Sequence, residues 1–391
     1  MEFRTEIEQA RGRIRPATAE ECQEAQAAIA ALSRPRRTGS SGAAEAEAEL
    51  RRRLEALDYE IHPLGFSFST WPGRFGVPLA GLAYLLATGL AVQALIDGAA
   101  GTALGVLLLA LIAFVLGARL AASAITAFPF GRIETANWLV QRPGARPRYV
   151  IVAHRDTKSQ PISTFLRTAA VALALFAWLA LAVLALLARL DPAWHWTALT
   201  IATAGLAAAA GVLLVACRVE NESPGALDNA TGLAALLAIA RREREQRDVA
   251  FLITDGEELG LAGARAAAPR LPPVHGIINL DGLDDDGPVR VIERFGWPRH
   301  GFAPHLATAL LAAASTLELP AARQDLPIGV LVDHMPFVAA GHPALTIMRG
   351  TFRSLRRVHR PEDTPDRTSG RGAADAAALV SGALDILRRA A

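Results

Sequence analysis

Four stretches of this 391-residue chain contain no charged side chain: Phe75 to Ile96, Gly98 to Gly117, Thr168 to Ala188 and Trp196 to Cys217. Each is about 20 residues long, the length at which an α-helix crosses the hydrocarbon layer of a bilayer. Buried helices of a water-soluble core normally keep a polar face, and four stretches without one do not fit that description. The chain as a whole is 52% hydrophobic. The four stretches take roughly 85 residues of it and leave a remainder about 44% apolar, an ordinary globular proportion. Two materials are therefore interleaved.

The stretches pair. Asp97 to Gly101 is a minimal turn between the first two, and Arg189 to His195 separates the last two, so the pattern predicts two transmembrane helical hairpins. This divides the chain into residues 1–74, 118–167 and 218–391, forming one domain, and 75–117 and 168–217, forming the hairpins. Arg74, Arg119, Arg132, Arg167 and Arg218 flank the ends on the large-domain side, whereas the opposite turns offer only Arg189. The positive-inside rule then puts the large domain in the cytoplasm, on a bacterial inner membrane. Met1 to Arg15 is charged and has no apolar run, so no cleavable signal is expected. Forty basic against 38 acidic residues leave a formal charge of +2, which excludes a nucleic-acid binder that works by neutralising phosphates. Lys158 is the only lysine. Cys22 and Cys217 lie far apart, and no structural disulfide is expected.

Outside the hairpins, Thr18 and Glu21 form a capping-box pattern ahead of a helix to about Leu32, and Ala43 to Leu57 reads as a second helix. Tyr59 to Ser69 has strand character. Ile133 to Gln141 and Arg148 to His154 read as two strands around a Pro-Gly turn, a β-hairpin. Beyond Arg218 helices alternate with short apolar strands: Thr231 to Glu245, Leu261 to Ala268, His305 to Leu317 and Ala373 to Arg389 are helical, and Val249 to Thr254, Gly276 to Leu280 and Ala344 to Met348 extended. Such alternation predicts an α/β fold whose mixed, mainly parallel sheet is flanked by helices, with the two transmembrane hairpins inserted.

Several strands end in metal-binding residue types. Val150 to Ala153 runs into His154-Arg155-Asp156, Leu252 to Thr254 into Asp255-Gly256-Glu257-Glu258, and Ile277 to Leu280 into Asp281. Ligands of open α/β sheets bind at the carboxyl ends of strands, so these motifs should converge. Two loops add Gly225 to Gly232, with Asp228, and Val358 to Thr364, with His359. Two imidazoles and three carboxylates form a nitrogen/oxygen set suited to zinc, and their number suits two ions sharing one carboxylate. Taken singly, each residue has an ordinary reading as surface, strand end, turn or helix cap. Adjacent Glu257 and Glu258 can divide the work, one holding metal and one accepting a proton from water. Asp156, two residues after His154, can accept the other imidazole N–H.

These motifs resemble those of the di-zinc aminopeptidase family M28, of the bacterial leucyl aminopeptidase and aminopeptidase Y type, with glutaminyl cyclases as relatives. The resemblance extends from Arg37-Thr38-Gly39-Ser40 through Thr135-Ala136-Asn137 to the final His-x-Pro-Glu-Asp-Thr stretch. It implies a zinc aminopeptidase-like sandwich in which Asp228 bridges two Zn2+ ions, His154 and Asp281 complete one site, Glu258 and His359 the other, and Glu257 is the general base. It also places Asp333-His334 near the substrate, so His334 is a candidate for contacting the carbonyl, against a plain helix-start role. Asp363 is a candidate for orienting His359. Asp284, Asp285 and Asp286 read as an exposed acidic turn, and the other histidines as structural or exposed. Family members are usually soluble or singly anchored, whereas here a membrane excursion separates His154 from Asp228. That favours peptide substrates approaching along the lipid bilayer. Two rivals follow: a glutaminyl cyclase-like acyltransferase on the same scaffold, and a non-catalytic membrane receptor or subunit. Residue specificity and oligomeric state are not encoded in any motif.

Overall fold

A computed structural model describes residues 12–123, 125, 128–191, 197–327 and 329–390. Most of the charged N-terminal stretch, His195 and the Trp196 start of the fourth apolar stretch lie outside the described residues. The chain forms two compact units, one of residues 1–67, 133–159 and 221–391, the other of 68–132 and 160–220.

In chain order the elements are helices α1 (Ala19–Leu32) and α2 (Ser41–Glu55), strand β1 (Glu60–Ser69), helices α3 (Trp71–Ile96) and α4 (Ala100–Ser123), strands β2 (Arg132–Gln141) and β3 (Tyr149–His154), and helices α5 (Thr164–Leu190), α6 (Thr197–Val215) and α7 (Thr231–Arg242). There follow β4 (Val249–Thr254), α8 (Ala262–Ala267), β5 (Gly276–Leu283), β6 (Val289–Arg294), α9 (Pro304–Thr316), β7 (Ala321–Asp325), α10 (His334–Ala339), β8 (Ala344–Arg349), α11 (Phe352–Arg357) and α12 (Arg371–Arg389). The capping box at α1 is formed: Thr18 N donates to Glu21 Oε2 at 2.8 Å and Glu21 N to Thr18 Oγ1 at 3.2 Å.

The strands make one eight-stranded sheet in the order β1-β2-β4-β3-β5-β8-β6-β7. β3 pairs in parallel with both β4 and β5, β5 with β8, and β6 with β7, while β2–β4 and β6–β8 are antiparallel. The sheet is thus mixed and mainly parallel. Side-chain alternation along the strands feeds two apolar layers. Tyr149, Ile151 and Ala153 of β3, with Phe251 and Ile253 of β4, pack in a core with Ile29 of α1, Leu50 of α2, Leu236 of α7, Leu310 of α9 and Leu384 of α12. Val150 and Val152, one residue out of phase, pack with Leu252, Ala264 of α8 and Phe337 of α10.

The predicted β2–β3 hairpin is not formed, because β4 lies between the two strands. A two-residue turn would force pairing, but the connection here runs from Arg142 to Arg148. It is tied instead to the start of β4: Arg146 N donates to Arg247 O at 2.8 Å and Arg148 N to Asp248 O at 2.7 Å. β3 is buried along its whole length, which suits a central strand with a partner on each side.

In the second unit four helices are long and apolar enough to cross a membrane: Trp71–Ile96, Ala100–Arg119, Thr164–Leu190 and Thr197–Val215. Two begin before the uncharged stretches, α3 at Trp71 and α5 at Thr164, because Arg74 and Arg167 near their ends can extend toward water. Inside the bundle, Gly81 of α3 lies against the backbone of Leu214 and Val215 in α6, and Gly211 of α6 against Tyr84 and Leu85, so small residues permit close helix approach. Trp178 of α5 stacks on Tyr84 with ring centroids 4.8 Å apart and donates its Nε1–H to Thr88 Oγ1 at 2.8 Å. Leu86, Leu90, Leu109, Phe176 and Leu179 are exposed, a surface unlike that of a water-soluble bundle.

Candidate metal centre and active site

Five side chains converge at the carboxyl ends of the central strands. β3 delivers His154, the turn after β4 delivers Glu258, and β5 carries Asp281 just past its pairing with β3. The loop before α7 brings Asp228, and the turn after α11 brings His359. His154, Asp228 and Asp281 form one cluster of potential ligands; Asp228, Glu258 and His359 form a second, with the donor atoms of each within 4.8 Å of one another. Asp228 belongs to both. Its Oδ1 is 3.2 Å from His154 Nε2, and its Oδ2 is 3.0 Å from His359 Nε2. His154 Nε2 is 3.9 Å from Asp281 Oδ1, and His359 Nε2 is 3.2 Å from Glu258 Oε2.

The donors fit a metal. His154 Nε2 and Glu258 Oε1 are buried without a hydrogen-bond partner, a costly condition that a cation relieves. Imidazole nitrogen and carboxylate oxygen are ligand types zinc accepts. His359 adopts φ 62°, a conformation rare outside glycine, and such backbone outliers concentrate at functional sites.

Two of the ligand-bearing turns are gripped through their main chain. Asp156, fully buried, accepts N–H bonds from Glu257 and Glu258, one on each carboxylate oxygen, both at 3.1 Å. Asp363 does the same for the other loop, accepting from Leu227 N at 2.9 Å and Asp228 N at 3.1 Å. The nearer partner of His154 Nδ1 is therefore the main-chain oxygen of Asp156 at 3.2 Å, with the Asp156 carboxylate at 3.7 Å. Asp255 is fixed by hydroxyl donors from Thr38 at 2.8 Å and Thr135 at 2.6 Å, and Asn137 Oδ1 accepts its N–H at 3.1 Å. The Arg37-Thr38-Gly39-Ser40 and Thr135-Ala136-Asn137 stretches thus hold the Asp255 to Glu258 turn in place.

Burial pushes Glu257 well above the usual carboxylate range; the positive field of His154 opposes this, and Glu258, Asp333 and Asp281 add to it. For Glu258, burial and Asp228 act upward, but His359 and Lys158 prevail and bring it below the usual value. Neighbouring Glu257 and Glu258 therefore diverge, one favouring the protonated and one the ionised form. Burial also opposes charge on His154, yet Glu257, Asp156, Asp228 and Asp281 outweigh it and raise its pKa.

A family model, Peptidase family M28, matches residues 203–388. This segment belongs to peptidase family M28. The M28 match contains Asp228, Glu257, Glu258, Asp281 and His359; His154 and Asp156 precede it and join the site through the sheet. No curated protein matches the chain. Among solved structures, a glutaminyl cyclase from Fimbriiglobus ruber aligns at 16% identity and TM-score 0.53, covering 95% of this chain and 96% of that one. An aminopeptidase from Aneurinibacillus sp. strain AM-1 aligns at 14% identity and TM-score 0.52, covering 97% and 95%. The LapA aminopeptidase of Legionella pneumophila aligns at 12% identity and TM-score 0.51, covering 98% and 74%. These likenesses establish the M28-type fold.

Other sequence-singled residues lie elsewhere. His334 is the first residue of α10 and wholly buried; its Nδ1 is 2.7 Å from Thr346 Oγ1, its Nε2 has no hydrogen-bond partner, and burial lowers its pKa to about 3. It is in neither ligand cluster. Asp284 is buried rather than exposed, accepting from the Ser354 hydroxyl and from Arg357 at 3.0 Å, and Asp285 accepts N–H bonds from Ser369 and Gly372. Asp286 remains exposed. His62, His275, His305 and His342 make only local polar contacts outside the clusters. Cys22 and Cys217 are free.

Two residues escaped the sequence reading. Arg36 is wholly buried and donates to Arg155 O at 2.7 Å, Leu32 O at 3.1 Å, Pro224 O at 2.6 Å and Gly225 O at 2.9 Å, joining the segments that carry His154 and Asp228. Nothing in an arginine-rich sequence sets it apart. Lys158 Nζ lies 2.6 Å from Glu258 Oε2. Its signal was available, as the sole lysine of the chain.

Proposed function

We propose that this chain is a membrane-embedded, zinc-dependent aminopeptidase that hydrolyses the N-terminal residue of peptides. The observation that carries the reading is the pair of ligand clusters sharing Asp228, with Glu257 beside them. Asp228 would bridge two zinc ions, His154 and Asp281 completing one site and Glu258 and His359 the other. Bound zinc would supply Lewis-acid polarisation of the scissile carbonyl and a more acidic water. Glu257, buried and not needed as a ligand, would be drawn to its ionised form by the cations beside it, take the proton of the attacking water on a carboxylate oxygen and return it to the leaving amine nitrogen. Asp156 holds Glu257 and Glu258 through their main chain, so that base and ligand keep a fixed spacing. His334, with its unpartnered Nε2, is the candidate for contacting the substrate carbonyl.

The four apolar helices support an integral membrane location, and the arginines flanking them support a bacterial inner membrane with the peptidase unit in the cytoplasm. A reporter fused after Ala391 should therefore read as cytoplasmic. Only nine residues separate His154 from Thr164, the first residue of α5, which favours substrates presented at a membrane.

The test is hydrolysis of amino-acid arylamides by the zinc-loaded chain in detergent. Glu257→Gln should lose at least about a hundredfold in kcat with zinc content unchanged. A fully active Glu257→Gln enzyme refutes the base assignment. The solved glutaminyl cyclases among the structural neighbours favour one alternative, acyl transfer on the same scaffold. Cyclisation of N-terminal glutamine without arylamide hydrolysis would establish it instead.

A further inference from the structure

Lys158 stands apart chemically from every other base in the chain. It is the only lysine among 40 basic residues, and the other Lys/Arg ion pairs among the described residues are made by arginine. Its ammonium is largely buried, with the side chain 14% exposed, and Nζ is 2.6 Å from Glu258 Oε2. That oxygen is the one facing His359 Nε2 at 3.2 Å, on the side of the Asp228–Glu258–His359 cluster. The positive charge of Lys158 also reaches His359. In contrast, among the described residues no lysine or arginine pairs with the carboxylates of Asp228 and Asp281 beside His154.

The two clusters therefore differ in charge before any metal enters. Each has one imidazole and two carboxylates, but in the second cluster one carboxylate already carries an ammonium, on the oxygen that faces His359. A cation arriving there must displace that ammonium or endure its repulsion at close range. Lysine suits this place better than arginine. Its charge is a compact point on a flexible stem, able to withdraw from Glu258, whereas a guanidinium would lock on as a planar fork.

We propose that Lys158 is a built-in competitor for the Asp228–Glu258–His359 site, making that site the weaker of the two for zinc and its filling dependent on Lys158 leaving Glu258. The proposal rests on the two-site reading above and adds an order of filling to it: the His154–Asp228–Asp281 site fills first, and the second only as free zinc rises. The protein would then pass from a one-zinc to a two-zinc form over the range of available zinc.

The experiment titrates the metal-stripped full chain in detergent with Zn2+ alone, against a chelator of known affinity, and reads stoichiometry and both dissociation constants. The wild type should bind a first equivalent at least about tenfold more tightly than the second. Lys158→Met should tighten the second site by about tenfold or more and leave the first nearly unchanged, while Lys158→Arg, keeping the charge, should leave the second site weak. Lys158→Gln provides a second neutral variant should Lys158→Met fold poorly, with thermal unfolding and gel filtration as the check. Two equal sites in the wild type, or a second site unchanged or weakened in both neutral variants, would overturn the proposal while leaving the two-zinc reading intact. Failure of the wild type to bind zinc at all would overturn the two-site reading and the proposal with it.

Discussion

Replacing Arg36 with methionine tests whether one buried guanidinium holds the site together. Arg36 sends hydrogen bonds to five main-chain oxygens, on Leu32, Arg34, Arg155, Pro224 and Gly225, and is wholly excluded from water. Burial lowers its pKa to about 10, with Asp228, Asp363, Asp156 and Glu258 acting the other way, so it remains charged at neutral pH. Methionine fills similar space but removes this donor from all five; Gly225 O keeps the N–H of Ala230, which leaves four carbonyls orphaned. At roughly 1–3 kcal/mol for each orphaned buried group the loss is roughly 4–12 kcal/mol. Relief from burying a charge returns several kcal/mol, leaving a net destabilisation of about 3–5 kcal/mol. That is a large part of the roughly 5–15 kcal/mol that holds a typical domain folded. Thermal unfolding in detergent should show the peptidase unit melting about 10 °C lower. Because Arg155 follows His154 and Gly225 opens the Asp228 loop, zinc affinity should fall with it, by about 10–100-fold. Arg36→Lys, with fewer donors and no fork, should fall between. A methionine variant melting within about 2 °C of wild type, with zinc affinity intact, would show that these oxygens do not depend on Arg36.

Three further outcomes follow from the same geometry. Asp156→Asn turns an amide NH2 toward one of the two N–H groups of Glu257 and Glu258; zinc affinity measured by chelator competition should drop about 10–100-fold, and an unchanged affinity would rule out the clamp. Burial raises Asp333 to about 7 from an ordinary 3.8, so the folded state retains a proton that the unfolded chain gives up, and stability falls as pH rises between those values. Asp333→Asn should accordingly gain on wild type from pH 4 to above 7, by up to about 4 kcal/mol, in thermal unfolding of metal-stripped protein; parallel pH profiles would contradict this. Gly225→Ala puts a methyl group at φ 61° against Thr157 Cγ2 and the main-chain oxygen of Asp228, and should cost about 2 kcal/mol or more together with zinc occupancy, checked by unfolding and metal analysis.

The parts legible in the sequence were those with a local signature. His154, Glu258 and Asp281 follow apolar strands, and strand carboxyl ends are where ligands gather, so their convergence could be read from order alone. The four membrane-length helices announced themselves by lack of charge. Pairings set by distant residues were not legible. The β2–β3 connection looks like a hairpin turn until β4, a hundred residues later, is seen to take the place between the strands. β7, Ala-Ala-Arg-Gln-Asp, has no buried apolar alternation because it is an exposed edge strand. The main-chain contacts of Asp156 and Asp363 are hidden for a related reason. Sequence spacing links each carboxylate to a nearby imidazole, but each also accepts main-chain N–H groups more than a hundred residues distant, which no spacing rule reveals.

The position of β3 has a consequence for biogenesis. Both of its sheet neighbours, β4 and β5, are encoded after α5 and α6. A ribosome making this chain delivers the future central strand, then a hairpin of two helices long and apolar enough to cross a membrane, and only then the strands that flank it. During that interval a strand destined for full burial has neither final neighbour, a condition that invites aberrant strand pairing. Insertion of the hairpins would hold the waiting segment close to its later partners and raise their effective concentration. Of the five proposed ligands only His154 precedes that step, so the candidate metal centre is a late product of translation, complete only when the sheet has closed around it.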